Sequence, residues 1–94
     1  MYFEWDERKN RANLAKHGLS FETAVLVFDD PRAMSQLDRE VGGEGRWQTL
    51  GMARGIAILL VAYTEWEEHG EAAIRIISAR KATQRERQKY EEGP

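Results

Sequence analysis

The sequence predicts one α+β domain, an antiparallel sheet of about four to five strands packed with two N-terminal helices and one C-terminal helix. Two capped, helix-like segments precede Pro31, apolar runs of strand length separated by Gly-rich or acidic turns fill residues 33 to 80, and a capping box opens a last helix. At 94 residues the chain reads as a single domain over 1–94, long enough to bury one core and too short for two. Its 41% hydrophobic and 32% charged residues are those of a folded protein rather than a disordered one.

Tyr2 to Trp5 alternate aromatic and polar residues, which suggests a short strand, and Asp6 is a natural N-cap for a helix running to His17. Gly18 can end that helix in the left-handed conformation, with Lys16 and His17 complementing the helix dipole. Ser20 caps a second helix, whose Phe21, Ala24, Val25 and Phe28 fall on one face at i, i+3, i+4 and i+7 and should enter the core. Pro31 ends it, because the residue before proline is pushed out of the helical region. Strands are then expected over Ala33–Leu37 and Arg46–Met52, joined by a mobile turn rich in glycine (Gly42, Gly43, Gly45). The continuous apolar run Ile56–Tyr63 suits a central strand covered on both faces. An acidic turn, Glu65 to Gly70, leads to a last strand, Ala73–Arg80, and Thr83-Gln84-Arg85-Glu86 caps a helix reaching about Tyr90.

Without cysteine there is neither a disulfide framework nor a thiolate metal site. The N-terminal residues lack the basic start and apolar stretch of a signal peptide, and no apolar run is long enough to span a bilayer, so a cytoplasmic location and no membrane partner are expected. No P-loop, His-Glu-x-x-His, Gly-x-Ser-x-Gly or dinucleotide fingerprint occurs. His69 among Glu65, Glu67, Glu68 and Glu71 reads as a solvated acidic turn rather than a metal site, and no metal or cofactor is expected. The net charge of −2 conceals an uneven distribution, since Arg75 to Tyr90 carry six basic residues and one acid, and Arg8, Lys9, Arg11 and Lys16 form a second basic cluster. Together they would make a surface suited to phosphate, although clustered charge on helices also occurs simply as a solvated face.

On the last strand, period-two geometry puts Ile74, Ile76, Ser78 and Arg80 on one face and Arg75, Ile77, Ala79 and Lys81 on the other. Arg80 and Lys81 lie just before a helix N-terminus, where free N–H groups also favour an anion. The alternative is structural: Arg75 and Arg80 pair with Glu4, Glu22 or Glu86 and tie strand to helix. Glu86 and Tyr90 share a helix face at i and i+4, beside Arg87, a plausible set for acid–base work on a phosphodiester. A phenol near its usual pKa of about 10 is a poor base, so Tyr90 would need cationic neighbours or would act as an acid. His17 is the other candidate for proton transfer, or else a dipole-satisfying cap. Trp47, beside Arg46, either stacks on a base or belongs to the core.

Three sets of residues together resemble the BrnT toxins over nearly the whole chain and in the right order. They are Phe3-Glu4-Trp5-Asp6 followed by Asn13 and Lys16–Glu22; Val27–Pro31; and Arg75–Thr83 with Glu86 and Tyr90. The resemblance implies a RelE-like ribonuclease fold, metal-independent cleavage of RNA that arrests translation, and neutralisation by a BrnA-like ribbon-helix-helix antitoxin. Through that antitoxin the complex would bind promoter DNA. At Gly45 the sequence departs from the family's usual acidic residue, which is expected to alter the loop around Arg46. On this reading RNA lies across a concave sheet face. Arg46, Arg80 and Lys81 hold the scissile phosphate, Glu86, Tyr90 and His17 move protons, and Lys16, Arg75, Arg85 and Arg87 join Lys81 in contacting the RNA. Two rivals are a non-catalytic module that engages an antitoxin and acts in transcriptional autoregulation, and a small RNA-binding domain without catalysis.

Overall fold

The computed structural model describes residues 1–93. Strand β1 (Tyr2–Glu4) leads into helices α1 (Glu7–His17) and α2 (Phe21–Ala24), then a 3₁₀ segment over Val25–Asp29. Strands β2 (Met34–Val41), β3 (Glu44–Ala53), β4 (Ala57–Glu68) and β5 (Glu71–Lys81) follow, and α3 (Gln84–Glu92) ends the described chain. The sheet order is β1-β5-β4-β3-β2. Strands β2 to β5 form the expected antiparallel meander, but β1 pairs parallel to β5, so the sheet is mixed rather than antiparallel.

Caps fall where the sequence places them. Asp6 accepts from the N–H groups of Arg8 and Lys9, Gly18 closes α1 at φ 70°, and Thr83 and Glu86 form a reciprocal capping box. The second helix differs, because after one α-turn it tightens to 3₁₀ and rotates the following residues, burying Val27 in place of Val25. Gly51 permits that approach, since a Cβ there would lie 3.0 Å from the Val27 Cβ.

The turns are shorter than the sequence suggests. The glycine-rich stretch contracts to Gly42-Gly43, with Gly45 inside β3, and the acidic stretch is strand up to Glu68, leaving His69-Gly70 as the turn. Ile56 lies in the β3–β4 turn and is 83% exposed. Strand β4 is buried on one face through Leu59, Val61 and Tyr63; the other is half-covered by α3.

The main core lies between the sheet and the α2–3₁₀ segment and includes Phe21, Val27, Leu59, Val61, Ile74, Ile76 and Ala79. Phe28 packs between Phe3 and Tyr63 at centroid distances of 5.2 and 5.0 Å. Trp47 is partly buried and packs against this core, as the structural one of its two alternatives expects. On the opposite face, α3 seals a smaller cluster of Leu50, Ala82 and Tyr90 with Met52, Ile58 and Leu60.

Helix α1 buries no apolar side chain; its buried residues are Asn10 and Asn13. Because β1 covers β5 only along Ala73–Arg75, the outer edge of β5 beyond that point needs another partner. Asn13 supplies it: its Nδ2 donates to the Ala79 carbonyl at 2.9 Å and its Oδ1 accepts from the Ala79 N–H at 3.1 Å. Asn10 Oδ1 accepts from the Phe21 N–H at 2.8 Å, fixing α2 to α1. Replacing Asn13 with alanine leaves a buried donor and acceptor unpaired at about 1–3 kcal/mol each. For a domain of this size about 4–8 °C of Tm is lost per kcal/mol, so thermal unfolding of Asn13→Ala should show a drop exceeding about 8 °C.

Candidate active site

Direct partners across a sheet share a face, so the register decides which of the candidate residues meet. Leu60 pairs with Arg80, Thr64 with both Arg46 and Arg75, and Arg39 with Arg46. All of these side chains belong to the face that carries α3. A one-residue bulge explains why strict alternation fails: Ile76 pairs with Tyr63 and Ser78 with Ala62, leaving Ile77 as the extra residue. Arg75 and Arg80 therefore share a face instead of opposing one another, while Ala79 turns to the core and Lys81 lies on the face opposite Arg80.

Arg80 and Glu86 form a two-pronged pair, Nη1 to Oε1 at 2.8 Å and Nη2 to Oε2 at 3.0 Å. The same carboxylate accepts from the Thr83 N–H at 2.8 Å, so one group closes the capping box and fixes the arginine. The Arg80 hydrogen bond, aided by the Thr83 N–H and opposed by burial, pulls the Glu86 carboxyl down to about 2. Glu86 is thus ionised at neutral pH and has no proton to donate.

Tyr90 is 4% exposed and gives its hydroxyl hydrogen bond to Asp30, whose other oxygen and own share of backbone donors complete a three-way junction: Asp30 also accepts from the N–H groups of Met52 at 2.8 Å and Arg32 at 2.9 Å. The hydrogen bond to Asp30, with burial and the carboxylate charge, raises the Tyr90 pKa. Burial pushes the Asp30 carboxyl up, but the three hydrogen bonds outweigh it and hold it below its usual range. Arg32 lies 5.4 Å from the Tyr90 ring centroid. Asp30 and Arg32 are absent from the sequence-derived set; the signals for Asp30 were an Asp-Pro dipeptide that reads as a helix stop and its place in the Val27–Pro31 motif.

The candidate residues therefore divide. Arg46, Arg75, Arg80 and Glu86 face the same side of the sheet, with Tyr90 sealed beneath α3. Glu86 and Tyr90 share a helix but engage different partners. His17 and Lys16 sit on the last turn of α1, at the β5 edge, and make no hydrogen bond or ion pair among the described residues. Arg75 Nε pairs with Glu4 at 3.3 Å, as the structural alternative anticipated, whereas Glu22 receives Asn10 instead. Arg87 donates to the Ala82 carbonyl, and Lys81 and Arg85 are exposed. Arg46 and Arg80 are four rungs and two strands apart, about 13 Å along the strands and about 10 Å across them. With Arg80 drawn towards α3 by Glu86, the two do not converge on one phosphate, and Lys81 on the opposite face does not join them. Gly45 pairs with Glu40 inside the ladder, and the irregularity beside Arg46 lies on the facing strand, where Asp38 is left out between Leu37 and Arg39; a Cβ at Gly45 would sit 3.3 Å from Leu37 and Trp47 side-chain atoms. Among the described residues no group of three or more His, Asp or Glu is placed to hold a metal ion.

A family model described as the ribonuclease toxin BrnT of type II toxin–antitoxin systems matches residues 5–86. The chain belongs to the BrnT family. The fold agrees with the crystal structure of the Brucella abortus ribonuclease toxin BrnT, with a TM-score of 0.62 and 28% identity over 89% of this chain and 99% of that one. No curated protein matches the chain. Family membership makes this chain a toxin of a type II system, and both the five-stranded sheet and the three helices agree with the BrnT structure.

The Arg80–Glu86 pair has a measurable pH signature. Glu86 titrates lower in the folded than in the unfolded chain, so its stabilisation is complete above an unfolded value of about 4.3 and is lost as pH falls towards 2. Urea denaturation of Glu86→Gln should show a loss of about 1 kcal/mol at pH 7 and a flatter stability profile between pH 5 and 2, with the two proteins converging at the acid end.

Proposed function

We propose that this BrnT-family toxin is a metal-independent endoribonuclease in which the neighbouring 2′-hydroxyl attacks the phosphodiester and Arg80 stabilises the charge that builds on the phosphorus-bound oxygens. The observation supporting this is the two-pronged Arg80–Glu86 pair, which holds a guanidinium in a fixed orientation at the rim of the open sheet face. A cation fixed in advance needs no reorganisation as the transition state forms, and such electrostatic terms amount to about 3–4 kcal/mol for one well-placed donor. Glu86 acts by positioning Arg80. Tyr90, with its proton committed to Asp30, supports α3, which leaves His17 as the candidate proton carrier.

In this reading the fold is RelE-like, on the strength of two helices ahead of the β2–β5 meander and one after it. The toxin works in the cytoplasm, its RNA cleavage arrests translation, and a BrnA-like ribbon-helix-helix antitoxin neutralises it and carries the complex to promoter DNA. One observation favours the rival, a non-catalytic module that engages the antitoxin and acts in autoregulation: two of the three sequence-derived proton carriers are occupied by structural hydrogen bonds.

Purified protein incubated with a defined RNA in EDTA distinguishes the two. Cleavage leaving cyclic phosphate ends is expected for the wild-type chain, with a loss of at least about 100-fold in Arg80→Ala, the scale of removing one such donor. Failure of the folded wild-type chain to cut either naked or ribosome-bound RNA would transfer the assignment to the binding module. Tyr90→Phe should retain most cleavage while lowering stability by about 1.5–3 kcal/mol, the usual range for a hydrogen bond to a charged group, as read by urea denaturation.

A further inference from the structure

On the open face, one rung of the sheet is unlike its neighbours. Arg39 on β2, Arg46 on β3, Thr64 on β4 and Arg75 on β5 are consecutive direct partners, and Glu4 on β1 closes the row by pairing with Arg75. Like charges directly opposite on adjacent strands repel, and Arg39 and Arg46 stand in that relation. Neither forms an ion pair among the described residues, although Glu44 lies two rungs beyond Arg46 on the same face. Between Arg46 and Arg75 the Thr64 side chain is 3% exposed and its hydroxyl has no hydrogen-bond partner among the described residues.

The sheet's two register irregularities both serve this face. The bulge at Ile77 moves Arg75 onto the side of Arg80, and a second, at Asp38, lets Arg39 face Arg46 although Leu37, two residues earlier, pairs with Trp47 on the core side. Bulges re-aim side chains at the expense of local pairing, and these two deliver arginines to one rung. Between this rung and that of Arg80, the rung that faces the same way bears Gln36, Gln48, Ala62 and Ser78, three of them with hydrogen-bonding side chains.

We propose that Arg39, Arg46 and the Thr64 hydroxyl form a second phosphodiester subsite, which holds the RNA chain on the side of the Gln36–Gln48 rung away from Arg80. The inference rests on RNA being the substrate. It assigns Arg46 to gripping the chain rather than to the bond that is cut. A guanidinium pair supplies the in-plane donors that phosphate oxygens accept, and the Thr64 hydroxyl gains the partner that the free protein lacks. Arg75, paired with Glu4, borders the subsite.

The test is fluorescence anisotropy with a labelled single-stranded 2′-O-methyl oligonucleotide, which cannot undergo 2′-hydroxyl attack, over a range of KCl concentrations. Arg39→Gln and Arg46→Gln should each weaken binding several-fold at low salt, and each should reduce the slope of log affinity against log salt by about 0.7, the contribution of one single-strand phosphate contact. Neither should lower the Tm, because each removes a repulsion. Thr64→Val should weaken binding while leaving Tm unchanged or higher, since the lost hydroxyl is unsatisfied in the free protein. Arg54→Gln, at the far β3–β4 turn, should bind like the wild-type chain. Wild-type affinity and slope in both arginine variants would overturn the subsite while leaving the RNA reading intact. No binding by the wild-type chain would overturn the RNA reading and the subsite with it.

Discussion

Strand β5 runs past the end of its parallel neighbour, and the arrangement of the molecule follows from how that exposed edge is closed. Three residues of β1 cover the start of β5; at Ala79 the side-chain amide of Asn13 takes the place of a further strand, satisfying both the N–H and the carbonyl. This ties α1 to the sheet without any apolar side chain buried on the helix. It also holds the backbone one residue before Arg80, so the guanidinium that grips Glu86 projects from a strand fixed on both sides. Hydrophobic burial holds the rest of the domain together, but α1 is docked by two asparagines, and polar anchors of this kind depend on position more sharply than packing does.

Two polar junctions then organise α3. Glu86 serves the capping box and Arg80 at once, and Asp30 joins the end of the 3₁₀ segment, the C-terminal end of β3 and the Tyr90 hydroxyl. The apolar cluster beneath α3 is small compared with the main core. The helix is thus attached through charge-assisted hydrogen bonds at both ends with a modest greasy patch between them. This leaves the upper part of the sheet face open, and the arginines lie there.

Much of the fold was legible in the residues. Asp6, Gly18, Ser20 and Thr83 announced helix ends because capping is local chemistry, and the apolar run after Gly55 announced the central strand. The parallel pairing of β1 was not legible, because three residues carry no signal of their direction. The 3₁₀ segment was hidden because Phe21, Ala24, Val25 and Phe28 fit an ideal helical stripe, while the glycine that lets Val27 approach the sheet, Gly51, lies on a distant strand. At the site, the Arg80–Glu86 and Arg75–Glu4 pairs were foreseen as options, and the family was legible from its motifs. The opposite faces of Arg80 and Lys81 were legible from alternation, but the return of Arg75 to the face of Arg80 was not, since a bulge is a property of pairing between strands and leaves no mark in one strand's own alternation.

That bulge makes segment length a design variable in its own right. Arg75 and Arg80 are separated by five residues but by only four rungs, and the odd residue, Ile77, converts what would be opposite orientations into the same one. Deleting a single residue here would not shorten the strand harmlessly; it would exchange inside for outside along everything on one side of the cut, driving a guanidinium into the core or an isoleucine out of it. Substitutions in this stretch can be absorbed one side chain at a time, whereas insertions and deletions cannot, so the spacing between the two arginines is under tighter constraint than the identity of the residues that fill it.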